Sequence, residues 1–273
     1  MNHSWQGERI LILAKTYPSP SSKHREITCV AGVSESGQMR RIFPLPYRFL
    51  QGEQRFKKWQ WITARIRKAT HDHRPESFNI ERDSIETGAV IDTKDAWEGR
   101  LRWVKSFLHR NPDDLESARQ ASGVTLGLVK PIHISELKIT PSSQPDWTDQ
   151  ERANLMQECL FDPEEVRDKI MLRKIPYDFH YIYQCDSESG PQTYKHKITD
   201  WEAGALYWNC RRSHGDEWER VFREKLEAEF REAKEAYFLL GTIHRFPDQW
   251  LIVGLYYPPK PDVNAPKQLD LWK

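Results

Sequence analysis

The sequence predicts an α+β protein: a small twisted β-barrel or half-barrel at the N-terminus, a helical middle, C-terminal β-hairpins with helices, and a disordered C-terminal tail. Three observations predict it. Short apolar runs in the first 70 residues alternate with period two and are separated by turn residues. From residue 95 onward, capping signatures precede stretches of helical periodicity. The chain then closes on a Pro-rich segment with neither pattern. Its 273 residues, 38% hydrophobic and 30% charged, are enough to bury a sizeable core and exclude collagen-like, coiled-coil and wholly disordered classes.

In the first region (1–92), Arg9–Tyr17 is a compact apolar strand ended by the breaker cluster Pro18–Ser22. Ile27–Val33 and Met39–Leu45 flank a hairpin turn at Ser36-Gly37. Trp59–Lys68 alternates: Ile62, Ala64 and Ile66 face a core, while Trp59, Trp61, Arg65 and Arg67 stand on the other side. The middle (93–175) opens with an amphipathic stretch from Asp95, whose Leu101, Val104, Phe107 and Leu108 share a face. Asn111 is an N-cap before Pro112, with Asp113 and Asp114 in the first turn. Thr125–Ile139 is extended, Thr148 and Glu151 form a capping box, and Asp162–Glu165 starts a further helix.

The third region (176–257) reads β–β–α–α–β–β. Its strands are Tyr177–Cys185 and Tyr194–Ile198, then Tyr237–Phe246 and Gln249–Tyr257. Between them lie helices from Thr199 to Arg212 and from Asp216 to Lys234. Residues 258–273 form a Pro-rich tether and a terminal peptide.

A formal net charge of +1 conceals an asymmetry. Residues 1–70 hold 13 Lys/Arg and 4 Asp/Glu, a balance of +9, and the remainder carries −8. Such a division points to a polyanion surface at the basic end. There, Arg40, Arg41, Lys57, Lys58, Arg65 and Arg67 interleave with aromatics that include Trp59 and Trp61. Cations hold phosphates and aromatic faces stack on bases, so DNA or RNA is the expected partner. For any one of these aromatics, filling the barrel is the simpler account. The four cysteines, Cys29, Cys159, Cys185 and Cys210, are widely spaced, as reduced thiols of a cytoplasmic protein are. No apolar run approaches the roughly 20 residues of a membrane span.

The basic region is similar to small PUA- or ASCH-type barrels, a resemblance that implies binding of RNA or modified bases. The chain is also similar to uncharacterised bacterial proteins of mobile-element or phage-defence islands. The terminal Gln268-Leu269-Asp270-Leu271-Trp272 resembles the bacterial sliding-clamp-binding peptide Gln-Leu-(Ser/Asp)-Leu-Phe, with Trp in place of Phe. That resemblance implies a sliding clamp as partner and a place in DNA replication or repair. Leu271 and Trp272 are the large apolar groups a short peptide offers to a pocket. The alternative is that the tail folds back and packs them on the body. A similar internal stretch, Gln157–Phe161, reads as ordinary helix packing.

Two constellations bear on chemistry. Cys185, His196, Cys210 and His214 supply the two Cys and two His that a tetrahedral zinc site prefers, though their spacing is unlike a usual finger. His196, Asp200, Glu202 and His244 are candidates for Mg²⁺ binding or acid–base work in a nuclease or nucleic-acid-modifying enzyme. A capping box, with Thr199 as N-cap and Glu202 reaching back, accounts for both acids without chemistry. His71 and His73 form an H-x-H in a loop, and Glu232-Ala233-Lys234 a nuclease-like tripeptide within a helix. No P-loop, dinucleotide fingerprint or nucleophile elbow is present. A third reading is an adaptor that binds protein partners and no nucleic acid.

Overall fold

The computed structural model describes residues 4–156 and 171–260. Its first half is a barrel built from β1 (Gln6–Lys15), β3 (Arg25–Ser34), β4 (Met39–Leu45), β5 (Gln60–Lys68) and β6 (Ser77–Ile80). The strand order is β1-β3-β4-β6-β5, closed by pairing of β5 with β1. All pairs are antiparallel except β4 with β6. A meander of three strands, then a fifth inserted between the third and the fourth, is the Greek-key topology of the OB-fold. The Ser36-Gly37 turn forms as the sequence predicts: Gly37 takes φ +78°, and Ser34 N–H donates to the Gln38 carbonyl at 2.9 Å. Three strands of this half are unforeseen: β2 (Ser19–Ser21) lies within the breaker cluster and pairs briefly with β3, β6 closes the barrel, and β7 (Glu86–Val90) pairs with β5 outside it.

β1 has five consecutive buried residues, Ile10 to Ala14, because both faces of the strand are covered. Ile10 and Ile12 join Ile62, Ala64 and Ile66 inside the barrel. Leu11 and Leu13 point outward into a second core. That core lies against the sheet β14 (Trp250–Tyr256), β13 (Tyr237–Thr242), β9 (Leu126–Val129) and β8 (Leu108–His109). A third core gathers the opposite face of this sheet, the antiparallel sheet β10 (His133–Pro141), β11 (Tyr177–Cys185) and β12 (Gln192–Lys197), and the C-terminal helices. Within it Tyr181 stacks on Phe238 at 4.9 Å.

The helices follow their capping signals with two exceptions. Asn111 Oδ1 accepts from Asp114 N–H at 2.9 Å and starts α2 (Pro112–Ser122). Thr148 and Glu151 make the capping box of α3 (Asp149–Met156). The predicted amphipathic helix at Asp95 is different: α1 (Lys94–Leu101) begins with Asp95, Ala96 and Trp97 at φ 50°, 50° and 68°. This left-handed turn brings Trp97 beside Trp59 and Tyr257. The N-cap of α4 (Trp201–His214) is Asp200, not Thr199. The Thr199 hydroxyl and N–H are taken by the Ile252 carbonyl, which leaves the cap to its neighbour. A last helical run follows as Trp218–Arg223, a π turn at Glu224–Ala228, and Glu229–Glu232.

Polar ties join the two halves. Arg41 Nη2 donates to the Thr125 carbonyl at 2.8 Å, and the buried Glu76 accepts from the N–H groups of Thr125 and Leu126 at 2.6 and 3.1 Å. Pro258 to Lys260, read from the sequence as free tether, are held against the body: Lys260 N–H donates to the Ala233 carbonyl at 2.9 Å. The helix expected at Asp162, the stretch Gln157–Phe161 and the terminal peptide lie outside the described residues.

Candidate nucleic-acid interface

The cations assigned to a polyanion surface divide by strand. Arg40 and Arg41, side by side on β4, are buried. Arg40 makes a two-pronged ion pair with Glu8 at 2.7 and 2.8 Å, and Arg41 is committed to Thr125. Neither is available to phosphate. Arg65 and Arg67 do point out of the barrel, as the alternation of β5 predicts. Arg65 pairs with Glu81, and Arg67 lies over the Trp5 ring at 4.6 Å.

Trp59 and Trp61 were expected outside beside these arginines, and both are buried. The reason is the second core: at this end of β5 the outer face of the barrel is covered by residues such as Leu101, Val104 and Tyr256. Trp59 packs on Tyr256 at 4.8 Å and Trp61 on Trp103 at 4.9 Å.

The zinc candidates do not converge. The β11–β12 register sets His196 opposite Tyr181 and Cys185 opposite Gln192, four positions apart, or about 13 Å at the usual rise of a strand. Cys185 is fully buried, and burial pushes its thiol up to about 12, against the thiolate a metal needs. Cys210 packs in the third core and His214 is exposed at the end of α4. Among the described residues no group of three or more His, Cys, Asp or Glu is placed to hold a metal ion.

The catalytic candidates also separate. His196 sits on β12 against the Tyr183 hydroxyl at 3.0 Å, and burial lowers it to about 4. His244 is exposed beyond β13, 3.9 Å from Asp72, whose carboxylate is held by Arg74 and Ser77. Asp200 and Glu202 remain together, but the buried Asp200 is occupied. Its Oδ1 accepts from the N–H groups of Glu202 and Ala203 at 2.7 and 3.1 Å, and Oδ2 from Leu255 N–H at 3.3 Å.

What the structure does bring together is Glu202 with Lys58, from opposite halves of the chain. Lys58 Nζ lies 3.0 Å from Glu202, 3.5 Å from Asp200 and 2.8 Å from the Leu255 carbonyl. Burial opposes its charge, but the two carboxylates outweigh burial and raise its pKa. Lys58 and Glu202 border a cleft of about 600 Å³ between the barrel and α4. Lys57 borders it too, as do Lys15, Trp97, Arg100 and Tyr257, which sequence reasoning missed. Five separate segments supply them, so no local spacing signals the cleft. Lys15 alone carries a hint, as a lysine ending an otherwise apolar strand. It is boxed by Tyr47 at 4.0 Å, Phe56 at 5.5 Å and Trp201 at 5.7 Å. Burial lowers its pKa to about 8, with Glu202 acting against that fall and Lys58 adding to it.

A second concavity of about 590 Å³ lies on the barrel itself. Its basic side chains come from three places: Lys23 and His24 before β3, Arg67 at the end of β5 and His71 after it, and Arg82 after β6. Phe43 of β4 and Trp5 supply aromatic surface. Among the described residues no carboxylate pairs with Lys23, Arg67 or Arg82. This is an exposed basic groove with aromatic walls.

The chain belongs to the family of the domain of unknown function DUF8757, whose model matches residues 109–272. A second domain of unknown function, DUF8758, matches residues 6–106. No curated protein matches. A solved structure of a replication protein A heterotrimer bound to single-stranded DNA matches at 13% identity and a TM-score of 0.36. That match covers 97% of this chain and 51% of that one, so the chain spans about half the length of the protein it matches. Among the described residues no helix is long and apolar enough to cross a membrane.

Proposed function

We propose that this chain is a nucleic-acid-binding protein that lays a single strand along the barrel groove. The observation that carries the reading is the groove's cations, Lys23, Arg67 and Arg82, which have no carboxylate partner among the described residues and stand beside Trp5 and Phe43. A strand needs a positive track for its phosphates and aromatic faces for its bases, and both are present in one concavity. The placement supports this further. OB-type barrels hold oligonucleotides or oligosaccharides on the face of their second and third strands, between the loops that join strands one to two and four to five. Here those are β3 and β4, which line the groove through Ile27 and Phe43, and the two loops, which reach it through Ser22 to His24 and through His71. Phosphates favour the oligonucleotide, because a neutral saccharide has no use for three cations without carboxylate partners among the described residues.

The test is a titration of a labelled single-stranded oligonucleotide at several salt concentrations. Replacing Lys23, Arg67 and Arg82 together by Ala lowers affinity and reduces the log–log salt slope by about 2, at roughly 0.7 per phosphate contact on a single strand. An unchanged slope removes the groove from the interface.

The terminal peptide Gln268–Trp272 recruits the protein to a sliding clamp in this reading. The support is the sequence match and the Pro-rich residues 258–267 that precede the peptide. A tether of this length holds a bound clamp near the body at high effective concentration. Clamp binding by the full chain and by a chain ending at Lys267 decides the matter; equal affinity removes the peptide from the account.

A further inference from the structure

The cleft between the barrel and α4 does not belong to the groove, and its chemistry is of another kind. We infer that it binds a single guanine nucleotide, with the base between its aromatic side chains, the base edge on Glu202 and the phosphate on its cations.

The size fits: about 600 Å³ lies within the range of small-molecule pockets. Two aromatic pairs meet there, Tyr47 with Trp201 and Trp97 with Tyr257, each with ring centres 5.4 Å apart. A flat heteroaromatic ring is the ligand that such surfaces receive best. Lys15, Lys57, Lys58 and Arg100 stand around these rings, so the ligand carries negative charge as well. An inorganic anion would leave the aromatic walls unused, and an uncharged aromatic compound would leave unmatched the excess of four lining cations over the one lining carboxylate, Glu202. A nucleotide uses both.

Glu202 then selects the base. Its neighbour Asp200 is fully engaged by backbone N–H groups, whereas the Glu202 side chain is half exposed and Lys58 holds it through Oε2. When the carboxylate turns to a ligand, Lys58 keeps Asp200 and the Leu255 carbonyl, so its charge is not stranded. Guanine presents two adjacent N–H donors, N1–H and the 2-amino group, that match two carboxylate oxygens. Adenine and cytosine set a ring-nitrogen lone pair beside their amino group, which a carboxylate repels, and uracil offers one N–H between two carbonyls. Guanine O6, next to N1–H, is an acceptor for a lysine ammonium.

Two further observations mark the cleft as built for a ligand. Trp59, which borders the cleft, buries its indole N–H with no acceptor among the described residues. Non-glycine residues at positive φ flank it at Trp59 and at Asp95 to Trp97, and such strain collects at ligand clamps.

The experiment is calorimetric titration of the full chain with GMP, AMP, CMP and UMP. GMP binds about tenfold or more tighter than the other three, the discrimination expected of one good two-pronged contact. Glu202→Gln folds as wild type and brings GMP to within about threefold of AMP. No binding of any nucleotide, equal binding of all four, or a guanine preference that survives Glu202→Gln each overturns the inference. The groove variant lacking Lys23, Arg67 and Arg82 keeps GMP binding, which separates this site from the strand-binding reading: loss of either one leaves the other standing.

Discussion

The groove and the cleft use the same kinds of side chain in different physical regimes. In the groove, Lys23, Arg67 and Arg82 stand in solvent without carboxylate partners among the described residues. In the cleft, Lys58 is buried between two carboxylates and Lys15 is enclosed by rings. Exposed cations bind by releasing counterions, so their contribution is governed by salt. Enclosed cations have already lost their water, so theirs is governed by protonation and by the partners beside them. The lesson is that a basic region is not one surface. Of the eight cations and tryptophans assigned from sequence to a single interface, the structure sends Arg40, Arg41, Trp59 and Trp61 to the interior.

The largest expected effect separates the two enclosed lysines. Lys58→Met leaves the buried Asp200 carboxylate without its cation and lowers stability by about 3–5 kcal/mol, as measured by denaturant unfolding. Arg41→Ala comes next. It costs about 1–2 kcal/mol because Thr125 loses the charged donor to its carbonyl and hydroxyl while the Thr242 N–H still donates to that carbonyl, and in the same preparation the salt slope for strand binding stays at the wild-type value. A reduced slope would mean that Arg41 reaches phosphate after all.

Lys15→Met moves stability the other way. The folded pKa of Lys15 is about 8 against an ordinary 10.5, so between these values the folded chain holds fewer protons than the unfolded one. Stability therefore rises with pH across that window, and the cost of the buried ammonium is fully present below it. At pH 7 the substitution stabilises by about 1–2 kcal/mol, less than the shift alone implies because the ring contacts of the ammonium are also lost. The advantage disappears above pH 10.5. An unchanged unfolding midpoint at pH 7 would place the ammonium in water rather than in its box. The smallest effect is a pH profile. GMP affinity falls as pH rises through about 8, by about threefold for loss of one of several cations, and Lys15→Met flattens that fall.

Much of the fold was legible because its signals are local. β4 and β11 run over the same residues in sequence and structure, since turn residues bound each strand and alternation marks its faces. The Asn111-Pro112 start is likewise a purely local device. Trp61 shows where this stops: alternation assigns it to the same face as Arg65, which is correct, but cannot say that one end of that face meets another sheet. Thr199 is a second case. Both it and Asp200 are good caps, and the choice falls to Ile252, more than fifty residues away. The cleft was illegible for the same reason, with Glu202 and Lys58 visible singly and their meeting fixed only by how α4 seats on the barrel.

Asp200 carries one consequence beyond its cap. Its two oxygens touch the start of a helix, the backbone of β14 and a lysine of the barrel, so three elements from both halves depend on one carboxylate. Leu11 and Leu13 depend in the same way on Leu239 and Val253 across the second core. The boundary near residue 107 that divides the two matched families is therefore not a seam along which the molecule comes apart. Neither half keeps its apolar face covered without the other, so heat and denaturant act on the two as a single cooperative unit, and a protease finds no early cut between them.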